Sequence, residues 1–334
     1  MLNYTIRRLF LAIPTLLFIS LVIFFIVKLS PSDPTANLPL TIPPEVREKI
    51  RESLGVNQPL LVQFGLWLKQ LMISEPLYWT NQYFGTEFEV GQRIISYQTR
   101  SPVMDIVIQR MPQTLWVVGT AYLVGILIAL PIGIFSAYRQ YSIFDQAGTF
   151  VSMIGFSVPP FFSGVLVIVI FSVQLGWLPS IYDTTHIVDS WDSFVIQFKQ
   201  MIMPVMVLAL QTTAQISRFL RASMLDNLNQ DYVRTARAKG LSEKIVVLVH
   251  VLRNSMIPVI TVIALGVPTI FGGAIITEQV FKVNGLGQLL IISIQAGDVP
   301  TVQTLTFMFA VLIVLFNLVA DVLYGLLDPR IRYD

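Results

Sequence analysis

No charged residue interrupts the chain between Arg110 and Arg139, or between Asp145 and Asp183. A helix rises about 1.5 Å per residue, so an apolar run of roughly twenty residues matches the ~30 Å hydrocarbon core of a bilayer. Runs of this kind set the class before any local pattern is considered. The composition agrees: 54% of residues are hydrophobic and 13% charged, whereas soluble domains carry about 25% charged residues. The expected fold is an all-α polytopic membrane protein.

Six spans are expected: Leu9 to Val27, Leu115 to Phe135, Phe150 to Leu175, Gln200 to Ser217, Met256 to Thr277 and Leu305 to Leu327. The fourth is the shortest and carries Gln211, Thr212, Thr213 and Gln215. Arg7-Arg8 precedes the first span, and basic flanks stay on the cytoplasmic side. The first span is too long for a cleaved signal and no small-residue cleavage site follows it. Between the fourth and fifth spans, Arg218, Arg221, Arg234, Arg237, Lys239, Lys244 and Arg253 outnumber Asp226, Asp231 and Glu243. That loop is therefore expected on the same side as the N-terminus, with both termini cytoplasmic.

Three regions follow. Residues 1–29 hold the N-terminal end and first span, and 111–334 hold the other five spans with a cytoplasmic loop at 221–255. Residues 30–110 read as an extracytoplasmic helical insertion. Pro31, Pro34, Pro39, Pro43 and Pro44 keep its opening extended. Glu45 to Leu54 forms an amphipathic helix with Val46, Ile50 and Leu54 on one face, stopped at Gly55. A second helix begins after Gln58-Pro59, with Leu60, Phe64, Trp67, Leu68 and Leu71 at helical spacing. Tyr78, Trp79, Tyr83 and Phe84 either lie at the membrane surface, where aromatic rings are favoured, or pack into a small subdomain without a ligand.

A net charge of +2 and the lack of any basic run with interleaved aromatics exclude nucleic acid as a partner. The absence of cysteine removes disulfides and thiolate metal sites. His186 and His250 fall on opposite sides in this topology, so they do not form a metal centre, which wants three or four clustered ligands.

The polar loop carries the most specific pattern. Asp231 is a good N-cap, Ala236 and Ala238 favour helix, and Arg237 with Lys239 suits the last turn. Gly240 can take the left-handed conformation that ends a helix, and Ser242 with Glu243 opens the next. The stretch Asp231-Tyr-Val-Arg-Thr-Ala-Arg-Ala-Lys-Gly-Leu-Ser242 resembles the coupling loop of ABC-importer membrane subunits, E-A-A-x-x-x-G-x9-I-x-L-P. The glycine falls on Gly240 and the second alanine on Ala236. Arg234 and Thr235 replace the first two positions, and Leu252-Arg253 replaces Leu-Pro. These departures match the peptide-type permeases. Ser157-Val-Pro-Pro-Phe161, Leu175-Gly-Trp-Leu-Pro179, Glu278-Gln-Val-Phe281, Gly285-Leu-Gly287 and Leu327-Asp-Pro-Arg-Ile-Arg332 are similar to words of the same family in the same order. Ser74 to Gln98 fits poorly and reads as an insertion peculiar to this chain.

The resemblance implies the type I importer fold in a bacterial or archaeal cytoplasmic membrane. It implies a second homologous permease, two cytoplasmic ATPase subunits, an extracytoplasmic substrate-binding protein, and a cargo of peptides or similar small solutes. It also implies that Asp231, Arg234, Thr235, Ala236, Arg237, Ala238, Lys239, Gly240 and Leu241 couple to the ATPases.

No phosphate-binding loop G-x-x-x-x-G-K-[ST], no G-x-S-x-G and no H-E-x-x-H occurs. The chain thus reads as non-catalytic, without a cofactor of its own, and with ATP–Mg on partner subunits. Asp321 is the one carboxylate within an expected span; it serves either ion coupling or a structural pairing with an arginine or Asn317. Gln113, Gln211 and Gln215 either line a passage or join helices by hydrogen bonds. Pro159-Pro160 reads as a plain kink more readily than as a helix break beside a cavity. The competing readings are an ion-coupled secondary transporter, which needs several buried ionisable groups near the midplane, and a membrane-anchored sensor.

Overall fold

The computed structural model describes residues 2–29, 43–53, 57–272 and 274–327. Pro31, Pro34, Pro39, Leu54, Gly55 and the 328–332 end of the last motif lie outside them. The described chain is helical: α1 (Leu2–Leu29), α2 (Pro44–Ser53), α3 (60–84), α4 (Val103–Tyr138), α5 (Ile143–Ser157), α6 (Pro160–Gln174), α7 (Trp191–Leu228), α8 (Asp231–Ala238), α9 (243–272), α10 (Ile275–Phe281), α11 (Leu286–Gln295) and α12 (Val299–Leu327). Among the described residues, five helices are long and apolar enough to cross a membrane, and α5 with α6 makes a sixth if that bent pair is one crossing.

The expected spans differ from these helices in instructive ways. The fourth span is the core of a 38-residue helix. Its polar start, with Gln197 and Gln200 buried, hid its true length. Ser190 and Ser193 form a reciprocal capping box that starts it, well before the apolar stretch. The second span likewise begins a third of a helix earlier, at Val103. The Pro159-Pro160 pair does more than kink: α5 and α6 meet at 106°. Pro160 cannot donate a helical hydrogen bond, Val158 adopts an extended backbone, and Pro160 lines a cavity described below. The break reading therefore holds.

Two compact units divide the chain. The first comprises Met1–Phe10, Gln113–Gly287 and Leu312–Asp334; the second comprises Leu11–Pro112 and Gln288–Val311. In the first, α4 and α7 pack along most of their shared length. Ala121, Gly125, Ala129, Gly133 and Ala137 recur every four residues on α4, and all are buried. A stripe of small residues lets two backbones approach closely where no hydrophobic drive favours contact over lipid. A Cβ at Gly125 would sit 2.6 Å from Thr212 Cβ, and one at Gly133 would sit 2.9 Å from Leu220 Cβ. Thr213 Oγ1 donates to the Gly125 carbonyl at 3.1 Å across the same seam.

Three carboxylates of the first unit have side-chain partners distant in the sequence. Asp145, at the start of α5, accepts from Arg221 of α7 at 2.6 and 2.8 Å through both carboxylate oxygens. Arg8 Nη1 lies 3.0 Å from Asp321 Oδ2. Glu278 of α10 is 1% exposed and accepts from Thr114 Oγ1 at 3.0 Å. Thr114 Oγ1 in turn accepts from the Leu286 amide at 2.7 Å.

In the second unit, Phe24, Phe64, Trp67 and Phe307 form an aromatic cluster with ring centroids 5.4–6.2 Å apart. Arg93 is held between Glu75 and Asp105, each at 2.8 Å, and its guanidinium lies 3.7 Å from the Tyr78 ring centroid. Burial alone would lower the pKa of Arg93, but the bonds from Asp105 and Glu75 outweigh it and the net shift is upward. Of the expected surface aromatics, Tyr78 packs here, while Tyr83 and Phe84 are exposed.

Candidate functional site

The polar loop between α7 and α9 is a built element. Gln230, not Asp231, occupies the N-cap, with an extended backbone and no side-chain cap; Asp231 is the first helical residue and pairs with Arg234 at 3.2 Å. A carboxylate in that first turn still complements the helix dipole. At the other end the Gly240 amide donates to the Arg237 carbonyl at 2.9 Å and the Leu241 amide to the Ala236 carbonyl at 3.4 Å. With Gly240 at φ +76°, these two bonds make a Schellman ending. Arg237 then reaches across the turn to Glu243 at 2.8 Å, fixing the angle between α8 and α9.

One face of α8 is its foundation. Val233 is fully buried and Ala236 is 5% exposed, packed among Leu220 and Met224 of α7 and Val246, Val247 and Val251 of α9. The opposite face presents Asp231, Arg234, Thr235, Arg237, Ala238 and Lys239 to the outside, followed by exposed Gly240 and Leu241. Ala236, expected at the contact surface, instead seats the helix. Its small side chain fits close packing against α7 and α9.

The three glutamines separate into two kinds. Gln113 is committed: its Oε1 accepts from the Tyr182 hydroxyl at 3.0 Å and its Nε2 donates to the Thr184 carbonyl at 3.4 Å. Gln197 Nε2 also donates to Tyr182. Burial raises the Tyr182 pKa above the ordinary tyrosine range, against the opposing effect of the Gln197 bond. Gln113 joins segments. Gln211 and Gln215, one turn apart on α7, line a cavity of about 620 Å³ among α4, α7, α9 and residues 274–277. Neither side-chain amide has a hydrogen-bond partner among the described residues. Tyr122, Thr212, Thr269 and Thr277 add hydroxyls to the same wall, and no charged side chain lines it among the described residues. Tyr122 donates to the Ile263 carbonyl at 2.6 Å, which holds its ring at the cavity edge.

Asp145, Arg221 and Glu278 escaped the sequence reading, because their partners are distant in the chain. Asp145 had marked only the end of an apolar run, and Arg221 had counted only toward the positive charge of the loop after the fourth span. Glu278 fell one residue beyond an expected span, although it opens one of the family words. No group of three or more His, Asp or Glu residues that could hold a metal ion occurs among the described residues.

Five long apolar helices, a broken pair and a capped helix seated on the bundle define a polytopic helical membrane protein. The chain belongs to the family of binding-protein-dependent transport system inner membrane components, whose model matches residues 129–333, with the family's N-terminal model matching 1–118. It is 37% identical over 334 residues to the oligopeptide transport system permease protein AppB of Bacillus subtilis, covering 99% of both chains. It is 38% identical over 337 residues to the glutathione transport system permease protein GsiC of Escherichia coli K12, covering 100% of both. A chain of the inward-facing MetNI methionine ABC transporter superposes with a TM-score of 0.51 at 18% identity, over 68% of this chain and 99% of that one. That likeness concerns fold alone. The N-terminal family match runs through Ser74 to Gln98, so the expectation of an insertion peculiar to this chain finds no support.

Proposed function

We propose that the chain is the membrane-spanning subunit of an ATP-driven importer of peptides or similar small solutes, with α8 as the surface that meets the ATPases. The observation that carries this reading is the construction of α8. Its apolar face is anchored on α7 and α9, its ending is set by Gly240 and the Arg237–Glu243 pair, and its charged face is left outward. A displacement of such a helix is passed to α7 and α9 rather than absorbed by a flexible loop. Both of those helices line the cavity with Gln211 and Gln215, so the motion reaches the pathway wall. The names of the relatives AppB and GsiC support a peptide-like cargo.

In this reading a second homologous permease completes the pathway, a binding protein delivers cargo from outside, and ATP–Mg is hydrolysed on two cytoplasmic partners. Residues 30–110 and Asp183 to Asp192 face outside, while both termini and α8 face the cytoplasm. An ion-coupled transporter is not favoured: Asp321 is paired with Arg8, Asp145 with Arg221, and the cavity wall carries no charge.

Single cysteines in this cysteine-free chain test the arrangement with an impermeant thiol reagent in intact cells. Labelling at position 187 and protection at 244 are expected; labelling of 244 from outside would contradict the orientation. Co-purification supplies the second arm. ATPase chains should accompany the wild-type protein, and the purified single chain should hydrolyse no nucleotide.

A further inference from the structure

The cavity wall carries a more specific message about what crosses it. We infer that Gln211 and Gln215 are specificity-determining residues that read the backbone of an extended peptide and are blind to the charge of its side chains. This rests on the peptide-importer reading above.

The argument begins with hydrogen-bond supply. Each glutamine offers one carbonyl acceptor and two N–H donors, and neither amide is engaged within the described chain. Gln113 shows the alternative use of the same side chain, with both ends consumed by Tyr182 and Thr184. A polar side chain within a spanning helix that joins nothing is best accounted for by what passes it.

Spacing comes next. Four residues along a helix advance about 6 Å. Polar groups on one face of an extended chain recur every two residues, at about 6.6–6.8 Å. The two amides thus present donor and acceptor sets at nearly the repeat of a peptide's own amides. A monosaccharide ring or a compact chelate has no such repeat. Thr212 and Thr269 already donate to the Leu208 and Gly266 carbonyls, so they add acceptor oxygens to the wall without adding charge. An uncharged wall neither attracts nor repels Lys, Asp or Glu side chains on the cargo, whereas a fixed charge in a low-dielectric passage would sort them strongly.

The test uses the assembled importer in proteoliposomes with its own binding protein, and three tripeptides which that protein binds: neutral, cationic and anionic. Wild type should carry all three. In Gln215→Glu the ratio of cationic to anionic uptake should rise about tenfold over wild type, equivalent to ~1.4 kcal/mol. In Gln215→Lys the ratio should fall by a similar factor, and the same pair of changes at Gln211 should act in the same directions. Gln211→Leu should lower uptake of all three without moving the ratio, since it removes hydrogen bonds and adds no charge. Because each variant is read as a ratio under one binding protein, a general loss of folded transporter moves numerator and denominator together. Unchanged ratios in both the Glu and the Lys variants, with uptake still measurable, would overturn the inference and leave the importer reading standing. Failure of wild type to carry any tripeptide would overturn both.

Discussion

The loop helix α8 and the cavity wall on α7 are consecutive in the chain and opposite in design. In α8, short-range rules suffice: a charged first turn, an alanine on the buried face, a left-handed glycine and an ion pair across the turn. On the cavity wall nothing local marks the site. Gln211 and Gln215 acquire meaning only when α4, α9 and residues 274–277 line the same open cavity beside them. A helix with one buried and one outward face can be specified locally, whereas a cavity wall has to be assembled from distant segments.

That contrast orders the expected effects. Breaking the bundle should cost the protein; altering the loop should spare the protein and cost its coupling. Asp145→Ala leaves Arg221 without its buried carboxylate and should have the largest effect. Removing one member of a fully buried pair costs about 3–5 kcal/mol; with Arg221 27% exposed the loss falls toward the lower end of that range, read as a fall in the yield of monodisperse protein in detergent. Gly125→Val comes next. Its side chain would enter the space of Thr212 and the Ala209 carbonyl, and overpacking costs about 1–3 kcal/mol, seen as a lowered melting temperature. Should Gly125→Val melt like wild type, the close α4–α7 seam would be wrong.

Val233→Ala sits on the boundary between the regions. It removes two buried methyl groups, worth about 0.8 kcal/mol each, from beneath α8 and none from its outward face. Uptake should fall more than protein yield, because the helix loses its seat while the spans remain. Arg237→Gln should do least to stability. The pair with Glu243 is exposed at nearly half of each side chain, and such pairs contribute about 0–1 kcal/mol. Its visible consequence should be a modest drop in uptake from a looser turn angle.

The same physics explains what was legible in advance. Gly240 at φ +76° and the helix before it follow from residues within a dozen positions. Even the N-cap error moved by only one residue, from Asp231 to Gln230. The class of fold was equally open, since apolar length is a local property. The span boundaries were less so. Helix α7 outruns its apolar stretch because Gln197 and Gln200 find partners in the Tyr182 hydroxyl and the Asp183 amide that a linear pattern does not reveal. The stripe from Ala121 to Ala137 was present as a period of four, and reading it would have located the α4–α7 seam. The roles of Gln113 and Gln215 could not be separated from sequence, because the same residue type either spends its hydrogen bonds on neighbours or keeps them.

The central claim, that α8 couples this chain to its motor subunits, is tested most directly at Gly240. Apart from its own chain neighbours, no atom lies within 4 Å of a Cβ built there, so the added Cβ acts through the left-handed backbone, at a cost of about 1–2 kcal/mol. Protein level, ATPase co-purification and uptake should be measured together for Gly240→Val. The account predicts near-normal protein in the membrane, reduced retention of the ATPases and a severe loss of uptake. Wild-type uptake with full ATPase retention would contradict it.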